Sequence, residues 1–224
     1  MKKIAEGLLE IGAVKINPDP KDAITFKSGI KSPVYCDNRL AYGAVPSGMK
    51  TQFREVLVSY FSYEVRQMLS AYHAGHGRDN AIVIVGVATG AIGWGVSVAL
   101  NTELPFAYVR AAAKDHGLGQ QIEGYKLKEG DKVIIIEDLI STGGSSLAAV
   151  EAVRAKGAEV IGMVAIMTYG WEKTQQAFND AKVPLVTLTN YAELVEVGLE
   201  LGKFTLEAAK LLNGWYKNPE AWGK

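Results

Sequence analysis

The chain has 224 residues, long enough for one large domain or two small ones and for a core that needs no disulfide or metal staple. Its 48% hydrophobic and 21% charged residues exclude collagenous, disordered and disulfide-scaffold classes. Lys plus Arg and Asp plus Glu both number 24, so no global field recruits nucleic acid or an anionic membrane, and any anion must be held by local geometry.

Met1 to Val14 reads as a short helix, with Ile4, Leu8 and Ile11 near helical spacing. Its two lysines precede an apolar stretch that Glu6 and Glu10 interrupt, so it does not read as a secretory signal. Residues 23–40, AITFKSGIKSPVYCDNRL, read as two extended pieces around a Ser28-Gly29 turn, with Pro33 at an edge. The single cysteine, Cys36, has no internal partner and fits a reducing, cytoplasmic compartment. Pro46 and Ser47 open a long helix. Its stripe runs through Met49, Phe53, Val56, Leu57, Tyr60, Phe61, Val65, Met68, Leu69 and Tyr72 until AGHGRDN breaks it.

Residues 80–102 carry no charge and have the length of a bilayer span. They open on the β-branched run Ile82 to Val85, turn at Thr89-Gly90 and are diluted by four glycines, with no cationic cluster at either flank. A buried strand, a tight loop and a buried helix are therefore expected instead of a membrane segment. From residue 81 onward AIVIVGV, PFAYVR, KVIIIEDL, EVIGMVAIMT and VPLVTLT are short apolar runs, as strands buried on both faces should be. Helical stretches at about 91–101, 144–156 and 171–180 separate most of them. This alternation predicts an α/β fold: about five mostly parallel strands flanked by helices. Residues 191–215 read as one or two amphipathic helices. No linker or repeat divides the chain, so a single domain over 1–224 is expected. Its core sheet spans 81–190, and residues 1–45 add a small subdomain.

The exception to the alternation is RAAAKDHGLGQQ, residues 110–121, too poor in large apolar residues to pack as a helix. A loop of this length inside a compact domain is a lid or binding loop, or else disordered. Arg110, Lys114 and His116 place three potential cations there against one acid, Asp115, which suits a polyphosphate that must be covered during reaction. The plainer alternative is a solvated surface loop.

In open parallel sheets, ligands sit beyond the carboxyl ends of the strands. VIIIEDLISTGGSS, residues 133–146, delivers Glu137 and Asp138 at a strand exit and then runs through Ser141, Thr142, Gly143, Gly144, Ser145 and Ser146 into a helix. Small residues let the backbone wrap a ligand; successive N–H groups and the helix dipole make a phosphate cradle, to which the hydroxyls add donors. Acids just upstream suit sugar hydroxyls or a Mg²⁺ ion. The alternative is an ordinary glycine-rich turn with a serine cap. No lysine follows the glycines, as a Walker loop requires, and the GxGxxG spacing is absent. GVATGAIG, residues 86–93, is a second strand-to-helix loop of small residues, either an anion site or close packing. The absence of HExxH, CxxC and GxSxG excludes the common zinc and acyl-transfer patterns.

VIIIEDLISTGGSS resembles the phosphoribosyl pyrophosphate signature of type I phosphoribosyltransferases. FKSGIKSPVY at 26–35 and YVRAAAKDHGLGQQIEG at 108–124 are similar to the amino-terminal and lid motifs of the orotate branch of that family. The likeness runs from Lys27 to about Tyr191. It implies the type I fold with a small N-terminal hood, and transfer of a phosphoribosyl group from phosphoribosyl pyrophosphate to orotate with Mg²⁺. It also implies that Glu137, Asp138, Leu139, Ile140, Ser141, Thr142, Gly143, Gly144 and Ser145 hold the ribose 5-phosphate and its hydroxyls. By the same resemblance Arg110, Lys114 and His116 close on the pyrophosphate, reaching into the neighbouring subunit of a homodimer. Asp138 joins those three as the residues implied in catalysis. Lys27, Tyr35 and Ser141 lie at orotate, with Val34 beside the base, and Ala88 to Ala91 run along the pyrophosphate. No metal ligand of the protein's own is implied; magnesium arrives with the substrate.

Three positions depart from the family pattern. Many relatives carry a second basic residue after the lid arginine, where this chain has Ala111. Many also carry a lysine in the 86–91 loop, and some hold orotate with an arginine near 168–170, where this chain has Tyr169. A phosphoribosyltransferase for a purine base shares 133–146 but gives no reason for FKSGIKSPVY or KDHG. A nucleic-acid-binding regulator on the same fold is opposed by zero net charge and the absence of a basic stripe.

Overall fold

The computed structural model describes residues 2–26, 28–43, 48–76, 81–110 and 121–222, with side chains at all of these except 48–52. Helix α1 (Lys2–Glu10) is followed by strands β1 (Val14–Ile16), β2 (Ile24–Thr25), β3 (Lys31–Ser32) and β4 (Val34–Cys36). Helix α2 (Gly48–His76) leads to β5 (Ile82–Val87), α3 (Ile92–Thr102), β6 (Phe106–Val109) and β7 (Ile122–Gly124). Then come β8 (Lys132–Ile140), α4 (Gly144–Arg154), β9 (Glu159–Thr168), α5 (Glu172–Asp180), β10 (Leu185–Asn190), α6 (Tyr191–Glu200) and α7 (Leu206–Lys217).

Two compact units divide the chain. One comprises residues 1–53 and 189–224, the other residues 54–188, with the boundaries falling inside α2 and inside β10. In the first unit α1 packs on α6, burying Ile4, Ala5, Leu8 and Leu9. Strand β1 pairs antiparallel with β4, and β2 with β3 around a turn closed by Phe26 N–H to the Ile30 carbonyl at 2.9 Å. Helix α7 holds that hairpin: the Trp215 indole N–H donates to the Lys31 carbonyl at 2.8 Å, and the Phe26 ring meets the Trp215 ring edge-on.

The sheet has six strands in the order β10-β9-β8-β5-β6-β7, and β5–β6, β5–β8 and β8–β9 pair in parallel. All six residues of β5 are buried, as are Val133 to Ile136 in β8, the outcome expected of uninterrupted apolar runs. Val83, Val85, Val133 and Ile135 share one face with Ala149, Val150 and Val153 of α4 and Phe178 of α5. Alternation turns Gly86 to the opposite face, where Gly95 of α3 approaches it closely.

The sixth strand, β7, is the one the expected five omit; it pairs antiparallel with β6. Three residues are too few to display a period, so this strand exists only because the chain returns to β6 after residue 120. The uncharged stretch at 80–102 forms β5, a turn and the eleven-residue helix α3. Among the described residues no helix is long and apolar enough to cross a membrane.

Candidate active site

Strands β8, β5 and β6 lie side by side and run in the same direction, so their carboxyl ends deliver three loops to one edge of the sheet. After β5 the chain turns at 88–91, where the Ala88–Thr89 peptide is cis and the Ala88 N–H donates to the Val109 carbonyl at 2.8 Å. After β6 comes Arg110. After β8 comes the turn 141–143 into α4. A Cβ at Gly90 would overlap the Asp138 carboxylate, so the first loop lies directly against the acid of the third.

β8 continues past both acids to Ile140 because Leu139 and Ile140 still pair with Met167 and Thr168. Glu137 and Asp138 therefore lie within the strand, not beyond it, and point to opposite sides. Glu137 is only 4% exposed. One of its oxygens accepts from the Asp138 N–H at 3.0 Å and the other from the Ser146 hydroxyl at 2.9 Å. Burial, followed by repulsion from Asp138, pushes the Glu137 carboxyl well above the usual carboxylate range. Asp138 is half-buried.

The turn itself is built for close backbone approach. Gly143 is the N-cap of α4 at φ 81°, in the left-handed region, and a Cβ there would sit 3.0 Å from the Phe178 ring. No side chain among the described residues caps α4, which leaves its first-turn N–H groups for an anion. Ser141 and Thr142 are half-buried; Gly144 and Ser145 are exposed. The turn is held from behind by Tyr169 N–H to the Ile140 carbonyl at 3.0 Å and the Thr174 hydroxyl to the Ser141 carbonyl at 3.0 Å. Tyr169 is buried and stacks on Trp171 with ring centroids 5.2 Å apart.

Arg110 is fixed at the entrance to the 110–121 segment. Its N–H donates to the Gln121 carbonyl at 2.9 Å, and its guanidinium donates to Glu123 at 3.1 Å. Lys114 and His116 lie outside the described residues, as does Lys27. In the first unit Val34 is buried and Tyr35 half-buried on β4, and the Tyr35 hydroxyl accepts from Arg39 at 3.4 Å. The structure thus brings together Ala88 to Ala91, Arg110 and the 137–145 run.

Sequence reasoning missed two features. Ser146, read as one of four loop hydroxyls open to a ligand, is 1% exposed and turned toward Glu137. Glu123 closes the 108–124 motif but had no role assigned to it, and only the pairing of β7 with β6 shows what it touches. A helical phase count from Gly144 would have turned Ser146 inward; Glu123 had no comparable signal.

The family model of the phosphoribosyl transferase domain matches residues 60–200. The chain belongs to the phosphoribosyl transferase family. A Bacteroides fragilis protein named orotate phosphoribosyltransferase is 49% identical over 97% of this chain and 94% of its own length. A Listeria innocua protein of the same name is 46% identical over 100% of this chain and 98% of its own length. Within the family the chain therefore falls among the orotate phosphoribosyltransferases. The crystal structure of orotate phosphoribosyltransferase from Aeropyrum pernix superposes with a TM-score of 0.65 at 26% identity, covering 90% of this chain and 99% of that one. The fold is also that of part of Leishmania donovani UMP synthase, with a TM-score of 0.73 at 21% identity over 96% of this chain and 42% of that one.

Proposed function

We propose that this chain transfers the phosphoribosyl group of 5-phosphoribosyl 1-pyrophosphate to orotate, giving orotidine 5′-phosphate and pyrophosphate, a step of pyrimidine biosynthesis. The observation that carries the reading is the uncapped turn at Gly143 beside Asp138, in a chain whose relatives of that name match it nearly end to end.

The N–H groups of Gly144 and Ser145 and the α4 dipole suit the terminal 5-phosphate. Asp138, at the surface of the strand, accepts from the ribose hydroxyls; Glu137 supports it from beneath by fixing the Asp138 peptide. The C1–oxygen bond to pyrophosphate breaks and a C1–nitrogen bond to orotate forms. The chemistry releases the orotate ring N–H proton as the C1–nitrogen bond forms, and that proton leaves to solvent. What the reaction needs is positioning, and stabilisation of the charge that departs with pyrophosphate. Arg110, Lys114 and His116 are the cations for that charge, and the 88–91 loop brings backbone to its side. Lys27, Tyr35, Val34 and Ser141 are assigned to orotate on the family resemblance.

Among the described residues no three His, Cys, Asp or Glu side chains group as a metal site. The residues fit Mg²⁺ bound mainly through substrate oxygens, because the half-buried Asp138 is a hard oxygen donor beside the phosphate turn. Bound there, the ion supplies neutralisation of pyrophosphate charge.

The reading includes a cytoplasmic homodimer that binds neither nucleic acid nor membrane. Val56, Tyr60 and Tyr63 on α2 and Val96 and Leu100 on α3 are all exposed, and Leu100 is 76% exposed. Such apolar exposure suits a covered face between copies. The test of the reaction is loss of orotate absorbance on adding phosphoribosyl pyrophosphate and Mg²⁺, with hypoxanthine and uracil as competing bases. Turnover of either base in preference to orotate overturns the assignment, and a salt-dependent nucleic-acid shift would favour the regulator.

A further inference from the structure

Arg110 is tied down more thoroughly than a surface cation requires. Tyr108 and Glu123 stand directly opposite each other on β6 and β7, so their side chains share a face, and Arg110, two residues beyond Tyr108, shares it too. The two oxygens of Glu123 divide between these neighbours. One accepts from the Tyr108 hydroxyl at 2.6 Å and the other from an Arg110 Nη1–H at 3.1 Å. The backbone of Arg110 is held independently, its N–H on the Gln121 carbonyl and its carbonyl on the Gln121 side-chain amide at 3.1 Å. Donation to Glu123 raises the Tyr108 phenol above its ordinary value, as a donor on an ionised acceptor should be.

A carboxylate beside a cation that must meet pyrophosphate is electrostatically adverse, since it cancels charge the anion would use. Its presence makes physical sense if orientation outweighs that loss. A guanidinium presents five N–H donors in a rigid fork, so anchoring one edge leaves another aimed outward. We infer that Glu123 is a positioning residue for the reaction, holding the Arg110 guanidinium ready for pyrophosphate, with Tyr108 holding Glu123 in turn. This inference rests on the proposed reaction for the identity of the anion.

The two roles open to Glu123 have opposite signs. If it were only a counter-charge, Glu123→Gln would tighten anion binding; if it positions Arg110, the same change weakens it. Calorimetric titration of Mg²⁺-pyrophosphate into the full chain reads this directly. Glu123→Gln is expected to weaken binding about tenfold, and less than about twofold in an Arg110→Ala background, because the anchor then has nothing to hold. Tyr108→Phe is expected to weaken binding about twofold to threefold by the same route, and serves if Glu123→Gln does not fold. In turnover, KM for phosphoribosyl pyrophosphate should rise with KM for orotate unchanged. Unchanged or tighter pyrophosphate binding in Glu123→Gln, or equal weakening with and without Arg110, overturns the inference, as does unchanged binding in Tyr108→Phe if only that variant folds. Orotate turnover by the unaltered chain tests the reaction separately, so the two readings fail in different assays.

Discussion

The hydroxyl of Ser146 and the carboxyl of Glu137 meet at 2.9 Å, closing the 141–145 turn from beneath. Ser146 lies in the first turn of α4 and Glu137 near the end of β8, so this one bond ties the strand to the helix. The second oxygen of Glu137 holds the Asp138 N–H, which fixes the peptide that carries the half-buried acid of the site. The turn from 138 to 145 is thus a closed loop whose base is a buried hydrogen bond.

Replacing Ser146 by alanine leaves a buried oxygen of the Glu137 carboxyl without its hydrogen-bond partner. The expected cost is about 1–3 kcal/mol of stability, with a raised KM for phosphoribosyl pyrophosphate as Asp138 loosens. Ser146→Thr keeps the hydroxyl and should recover much of both. Urea unfolding of the three proteins measures the first effect, and an unchanged midpoint in Ser146→Ala would show that the bond contributes nothing.

Glu137 gives the fold a pH dependence of a definite sign. Burial holds its folded pKa above the unfolded value, so between those two values the folded chain keeps a proton that the unfolded chain has lost. Its contribution is fully present below the unfolded pKa of about 4.3 and falls as pH rises toward the folded one. Glu137→Gln should remove this slope, because its amide oxygen can accept from Asp138 and its amide N–H can donate to the Ser146 oxygen. Unfolding midpoints of both proteins from near pH 5 to near pH 8 should therefore diverge, with the variant gaining relative to the parent as pH rises. Parallel curves would contradict a buried, proton-holding Glu137.

How far these contacts were legible in sequence depends on their range. The β-branched run at 82–85 and the Gly143-Gly144 turn read correctly because burial on both faces and left-handed backbone leave local marks. Glu137 and Asp138 read as equivalent acids at a strand exit. Their inequivalence follows from two further pairings, Leu139 with Met167 and Ile140 with Thr168, which prolong the strand and turn alternate residues inward. Ser146 was hidden among four hydroxyls until the helix fixed its phase. Strand β7 and the Glu123 anchor depend on register between segments on either side of residues 111–120, which no local pattern encodes.

Gly90 tests whether the 88–91 loop and Asp138 act together. Its backbone is outside the left-handed region, so alanine there carries no backbone strain, yet its Cβ would overlap the Asp138 carboxylate. Asp138 must rotate away. Gly90→Ala should then raise KM for phosphoribosyl pyrophosphate about tenfold or more while leaving unfolding within about 1 kcal/mol of the parent. In an Asp138→Ala background, the Gly90 change should add little, since the clash is gone. Equal losses in both backgrounds would assign Gly90 a role independent of Asp138.

Lys114 tests both the chemistry of the 110–121 segment and the sharing of sites. Lys114→Ala should lower kcat about 10²-fold or more with little change in KM for orotate, because a cation meeting the departing pyrophosphate acts mainly in the transition state. Near-normal turnover would remove this segment from the mechanism. If the segment serves the neighbouring subunit, a dimer of one Lys114→Ala chain and one Asp138→Asn chain contains one intact site, built from Asp138 of the first and Lys114 of the second. Random mixing of equal amounts then restores about a quarter of the parent sites, although each variant alone is nearly inactive. If each chain builds its own site, neither site of that heterodimer is intact. Assay of mixed and refolded chains, with heterodimers verified by a size-shifting tag on one variant, separates the two arrangements. Recovery places Lys114 across the subunit boundary, and none assigns each site to a single chain.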